Sequence, residues 1–210
     1  MNKPDSEANK KAILGDLESV SITPHYSYEK LSSASEYFVQ PEGDLCEAYC
    51  EKLKLVAGKP EVLPSVDAAL ARVKELIGEE VLLCNNPDLL KLIDEKGITY
   101  NTDPEYARVA KFSLTTCEAL AARTGSVFVS SAQIEGRRLV SAAETHIVLA
   151  YENQICADLP QCMDILEKKY GDTFPSQVTA ITGPSRTSDI EKTLVLGAHG
   201  PKNLYVLIIK

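Results

Sequence analysis

Apolar positions in residues 44–57 recur at helical intervals, at Cys46, Tyr49, Cys50, Leu53, Val56 and Ala57; the period predicts a helix that Gly58 and Pro60 stop. Glu61, Val62 and Leu63 predict a short strand. Ser65 then stands where an N-cap belongs, before an apolar stripe of Val66, Ala69, Leu70, Val73, Leu76 and Ile77 that Gly78 closes. A buried strand is predicted over 81–84. Asn86 and Pro87 open a helix through Leu89, Leu90, Leu92 and Ile93 that Gly97 ends, and a strand over 98–100 follows. Thr115 and Glu118 have the spacing of a capping box, predicting a helix through Leu120 and Ala122. Strands are expected over 126–130 and 146–150. Asp158 with Gln161 predicts the start of a helix over Cys162, Ile165 and Leu166 that Gly171 ends. Strands over 177–181, 194–196 and 204–209 complete the pattern.

Short apolar strands alternating with amphipathic helices predict an α/β fold on a mostly parallel mixed sheet flanked by helices. Residues 125–149 hold too little helix for a crossover, so their strands are expected to pair antiparallel. The final two strands are also too close for a crossover and are expected to form a hairpin-like pair. Residues 1–43 are polar and irregular apart from a short helix near 11–20. They read as an N-terminal arm, with 44–210 as a single α/β domain.

The net charge of −8 argues against nucleic acid, whose phosphates need a Lys/Arg surplus. The opening residues carry no apolar signal segment, and no run approaches the roughly 18 apolar residues that span a bilayer. A cytoplasmic location without membrane contact is expected. The six cysteines contain no C-x-x-C pair. Cys46 and Cys50 share a helical face, but no second half of a metal site follows. Buried apolar thiols are expected, with neither metal nor cluster in this chain.

Candidate chemistry gathers in Thr182-Gly183-Pro184-Ser185-Arg186-Thr187-Ser188-Asp189-Ile190-Glu191 and in Gly197-Ala198-His199-Gly200-Pro201. The first segment follows a predicted strand, and in open α/β sheets ligands sit beyond strand carboxyl ends. Gly183 permits close backbone approach. Ser185, Thr187 and Ser188 can cap a short helix whose N–H groups, with Arg186, would hold a carboxylate or phosphate. Asp189 would orient Arg186 or accept from a ligand hydroxyl. The competing reading is a plain turn with an N-cap and an Arg186–Asp189 pair, and the segment alone leaves both open. Gly197 and Gly200 hold His199 in a tight turn, as a general acid/base or as a turn histidine bonded to backbone. His146, at the start of an apolar strand, reads as structural. Residues 121–126 form a third segment, where Thr124 and Ser126 offer hydroxyls and Gly125 reads as a helix C-cap. No Walker loop or G-x-G-x-x-G occurs.

Together T-G-P-S-R-T-S-D-I-E, L-V-L-G-A-H-G-P, A-x-T-G-S-V and H-I-V-L-A-Y-E-N-Q-I resemble the LUD domain, the lactate-utilisation protein C family. The resemblance covers about half the chain, from Leu114 onward. It implies a fold of the NagB/RpiA/CoA transferase-like group, which includes sugar-phosphate isomerases and 5-formyltetrahydrofolate cyclo-ligase relatives. It also implies a cluster-free component of L-lactate oxidation to pyruvate, beside partner proteins that carry iron–sulfur centres. The family's motif residues fall on Thr124, Gly125, Gly183, Ser185, Arg186, Thr187, Asp189, Gly197, His199 and Gly200. Arg123 departs from the pattern, since the family commonly has Glu there. The alternatives are a non-catalytic binding or assembly subunit, and a coenzyme A, nucleotide or folate enzyme of the same fold.

Overall fold

The elements along the chain are α1 (Leu45–Leu55), β1 (Lys59–Leu63), α2 (Val66–Ile77), β2 (Leu82–Leu83), α3 (Pro87–Glu95), β3 (Tyr100–Asn101), β4 (Phe112–Thr115) and β5 (Ala119–Ala121). β6 (Ser126–Ser130), α4 (Leu139–Ala142), β7 (Thr145–Tyr151), β8 (Ile155–Cys156), α5 (Leu159–Tyr170), β9 (Val178–Ile181), β10 (Arg186–Thr187), β11 (Val195–Leu196) and β12 (Asn203–Ile209) follow. The structure, a computed structural model, describes residues 10–12, 14–15, 38–133, 137–187, 195–197 and 199–210. Every element named here lies in a compact unit of residues 39–210. Residues 10–12 and 14–15 are helical; the rest of the expected arm through 37 lies outside the described residues.

Six strands in the order β1-β12-β7-β4-β2-β3 form a sheet in which every pairing is parallel. β12 lies inside the sheet, between β1 and β7, because both of its faces can be buried. Leu204, Val206 and Ile208 point to one side, while Leu207 and Ile209 point to the other. On the second side α2 and α3 bury Leu70, Val73, Leu89 and Ile93 against the sheet. On the first side lie α1 and a smaller sheet ordered β8-β5-β6-β9, whose Leu120, Val127 and Val129 complete that core. The outer face of the small sheet is closed by α5 through Ala119, Phe128 and Cys162.

Three helix starts follow their local chemistry. The Ser65 hydroxyl accepts from Ala68 N, Asn86 from Asp88 N and Leu89 N, and Asp158 from Leu159 N. The helix expected from Thr115 is instead the end of β4 and the whole of β5. Residues 119–121 are buried on both faces, between the α1 core and α5, so their apolar run is continuous and carries no strand alternation. Gly125 accordingly lies in the β5–β6 hairpin turn rather than at a helix end.

The strands of 125–149 do not pair with each other. β6 runs antiparallel to β5 and β9, while β7 joins the parallel sheet. The expected final hairpin is also absent: β11 pairs with β10, and β12 lies between β1 and β7.

Candidate functional site

In a parallel sheet the segments that enter neighbouring strands share one edge. Residues 104–111 lead into β4, 139–144 into β7 and 197–202 into β12, so these three segments meet at the amino edge of the sheet's centre. The G-x-H-G-P motif therefore lies at the amino end of β12 in the large sheet, although it also follows the short β11. Gly197, at φ 76°, turns the chain there. Its N–H donates to the Ser185 carbonyl at 3.0 Å, and Ser185 N–H donates to the Pro201 carbonyl at 2.8 Å. A Cβ on Gly200 would stand 3.2 Å from the Ser185 Cβ. These contacts close the 183–187 turn onto the 197–201 turn.

An open basin of about 380 Å3 lies against this junction, lined by residues 141–144 with Gly197, His199, Gly200 and Lys202. His199 is exposed. The Lys202 ammonium is 3.1 Å from the Glu144 carboxylate, and both Lys202 N–H and Asn203 N–H donate to the Glu144 carbonyl. A second basin of about 380 Å3 shares Ser141 and Ala142 with the first and holds Arg108, Arg137, Arg138 and Glu105. Glu105 accepts Arg108 at 3.1 Å and stands 3.9 Å from Arg138, whereas Arg137 donates to Ser176 and Gln177. Three guanidinium groups and one carboxylate thus line this basin, a positive region on an acidic chain.

The helix expected after Ser185 is not formed at its start, because Arg186 and Thr187 are the strand β10, in register with Leu196 and Val195. Arg186 is exposed there, one position across from the residue before Gly197. The Ser185 N–H that was expected to meet an anion is bonded to Pro201. Ser188 and Asp189 lie outside the described residues.

Thr124 belongs to a separate arrangement. Its hydroxyl is 2.8 Å from that of Ser126, which is 2.7 Å from that of Thr182. Gly125 and Gly183, at φ 62° and 83°, both abut the end of α1. A Cβ on Gly125 would stand 2.7 Å from the Lys52 carbonyl carbon, and one on Gly183 would strike the Val56 carbonyl oxygen. The close approach these glycines allow is to the protein's own helix.

Arg123 Nε lies 2.8 Å from the Asp158 carboxylate, which also caps α5. Burial pushes the Asp158 carboxyl up, but Leu159 N–H, Arg123 and Gln40 outweigh it and hold the pKa below the ordinary value.

Two polar groups are buried away from these basins: Glu118, expected to cap a helix, and His146, expected to be structural. Glu118 accepts from Ser130 at 2.7 Å, Tyr170 at 2.6 Å and Lys169 at 2.7 Å. His146 is fully buried, with Nε2 2.8 Å from the Thr115 hydroxyl and Nδ1 without a partner; burial pushes its pKa down to about 4. A carboxylate in the apolar run 117–122 was the available signal for Glu118. Among the described residues no cluster of three or more His, Cys, Asp or Glu could hold a metal, and no helix is long and apolar enough to cross a membrane.

Residues 104–209 match the family model described as the LUD domain. A lactate utilization protein C of Bacillus licheniformis is 33% identical over 49% of this chain and 44% of its own length. The protein of the same name from Bacillus subtilis is 35% identical over 49% of this chain and 44% of itself. The chain thus aligns with less than half the length of these curated relatives. The uncharacterized protein YkgG of Escherichia coli is 26% identical across 89% of this chain and 86% of itself. Among solved structures, a DUF162 family protein from Deinococcus radiodurans has the same fold, with a TM-score of 0.62 at 14% identity over 81% of this chain and 100% of that one.

Proposed function

The chain belongs to the LUD domain family, and on that premise we propose that it is the cluster-free component of a cytoplasmic system oxidising L-lactate to pyruvate, binding a small anionic metabolite beside His199. The observation that carries this reading is the basin in which His199 and Lys202 meet at the amino edge of the sheet. Lys202, with Arg186 on the adjoining strand, would attract the metabolite's carboxylate. Gly197 and Gly200 shape the wall, and Ser185 ties its two turns together. Thr124, Gly125 and Gly183 support that wall from the α1 side; Thr187 follows Arg186 in β10, and Asp189 lies outside the described residues. Oxidation of a 2-hydroxy acid releases two protons and two electrons. His199 would accept the hydroxyl proton, the C2 hydrogen would leave as the second proton to solvent, and the two electrons would pass to iron–sulfur centres on partner proteins.

A non-catalytic binding or assembly role is the second reading. It is favoured by the openness of the basin and the exposure of His199, since chemistry of this kind works best where water is excluded. Thermal shift of the purified chain with lactate, pyruvate, a nucleotide and coenzyme A tests the ligand. Stabilisation by lactate or pyruvate that is lost in Arg186→Ala or Lys202→Ala is expected. A response to nucleotide or coenzyme A alone refutes the small-acid site. In a reconstituted lactate-oxidising system, full turnover with His199→Ala would leave the binding role standing and remove the catalytic one.

A further inference from the structure

Cys156 ends β8, Cys162 sits in the first turn of α5, and their sulfurs are 2.8 Å apart. Both thiols are free of disulfides and buried, at 8% and 0% exposure, within the apolar layer between the small sheet and α5. The backbone is held on both sides of the pair. β8 is in register with β5, and Ala122 N–H donates to the Cys156 carbonyl at 2.8 Å. The helix start is fixed by the Asp158 cap, and Cys162 N–H donates to the Asp158 carbonyl at 3.3 Å. Two sulfurs held this way are already near the approach a disulfide requires.

We propose that Cys156 and Cys162 form a modification site, a dithiol that peroxides convert reversibly to an intramolecular disulfide. The Cys156 sulfur attacks one oxygen of hydrogen peroxide, the O–O bond breaks, and the departing hydroxyl takes the thiol proton and leaves as water, giving a sulfenic acid on Cys156. The Cys162 sulfur then attacks the sulfenic sulfur, giving up its proton as the S–O bond breaks and the second oxygen leaves as water. Two thiols lose two electrons and the peroxide gains them; a dithiol reductant reverses the step. The order of attack follows the environment. The contact between the two sulfurs holds the Cys156 thiol below its ordinary pKa, while the same contact, with burial, pushes Cys162 up. The bond would pin β8 to α5 across Asp158, the residue that receives Arg123.

The test is mass mapping of the full chain after native-state treatment with hydrogen peroxide, followed by alkylation in denaturant and tryptic digestion. Residues 139–168 form one tryptic peptide in which Cys156 and Cys162 are the only cysteines. It should escape alkylation and run two hydrogens light, then regain two alkylation sites after reduction. In Cys162→Ser, dimedone should label Cys156. Recovery of the peptide with both thiols alkylated after peroxide would overturn the proposal, and so would a disulfide from either residue to another cysteine.

Discussion

Arg123 is joined to Asp158 by a 2.8 Å ion pair, and Asp158 is also the cap of α5. The resemblance drawn from the sequence implies Glu at this position, where this chain has the opposite charge. The structure gives the charge a local use. Arg123 sits in the β5–β6 turn with its N–H on the Ala157 carbonyl, and its side chain neutralises a carboxylate that is 9% exposed. Glu at 123 would face Asp158, and the helix start would hold two like charges.

Arg123→Ala should therefore cost about 1–3 kcal/mol, because it leaves a mostly buried carboxylate short of a partner. Arg123→Glu should cost more. Adding Asp158→Asn to Arg123→Glu should recover part of the loss, since Asn still caps a helix while removing the repulsion. Urea unfolding of the four proteins measures this, and an Arg123→Ala midpoint equal to wild type would refute it.

The motif glycines should behave as packing residues. Gly78, at φ 59°, has nothing within 4 Å of a Cβ, so Gly78→Ala should cost only the backbone term, roughly 1 kcal/mol. Gly125 and Gly183 have similar φ values, but their Cβ positions are taken by α1 backbone. Their alanine variants should lose several times as much, at least about 3 kcal/mol, because backbone on both sides must move. Equal costs at the three sites would show that α1 yields without strain.

His146 makes a prediction in pH. Its pKa falls from 6.5 to about 4 on folding, through burial. Below pH 6.5 the unfolded chain takes up a proton that the folded chain refuses, so stability declines as pH falls and the loss is complete near pH 4. The full effect is roughly 3 kcal/mol. Urea midpoints between pH 7 and 5 should fall in wild type and stay flatter in His146→Gln, and parallel curves for the two proteins would exclude His146 as the cause.

Much of this fold was legible wherever structure is local. Ser65, Asn86 and Asp158 cap their helices through hydrogen bonds spanning one to three residues, and Gly78 and Gly171 end two of them. What escaped was decided at long range. Residues 115–122 have a helical cap signal, yet they are sandwiched between two layers, and Glu118 is used on Ser130, Lys169 and Tyr170 rather than on a cap. β12 follows β11 by six residues but pairs with strands 58 and 146 positions away, as in Asn203↔Thr145 and Tyr205↔Lys59. The site divided in the same way. The link from Ser185 to Pro201 draws its two motifs together, whereas Gly125 and Gly183 look like ligand-approach glycines until α1 is seen against them.

Glu118 supplies the last test, because its charge and its shape can be separated. Burial pushes its carboxyl up, but hydrogen bonds from Lys169, Tyr170 and Ser130 prevail and hold it below the ordinary 4.5. A depressed carboxylate contributes stability that is present above its unfolded pKa and fades as pH falls through the folded one. Lys169 is 55% exposed, so its ion pair is screened and the two hydroxyl donors carry most of the effect. Glu118→Gln keeps the volume but loses the anion and brings an amide N–H toward hydroxyls, and should cost about 1–3 kcal/mol at pH 7. Glu118→Ala adds a cavity and should cost more. The gap between wild type and Glu118→Gln should narrow below pH 4 as the wild-type carboxyl protonates. A gap constant from pH 7 to 3 would mean that shape, not charge, is what Glu118 contributes.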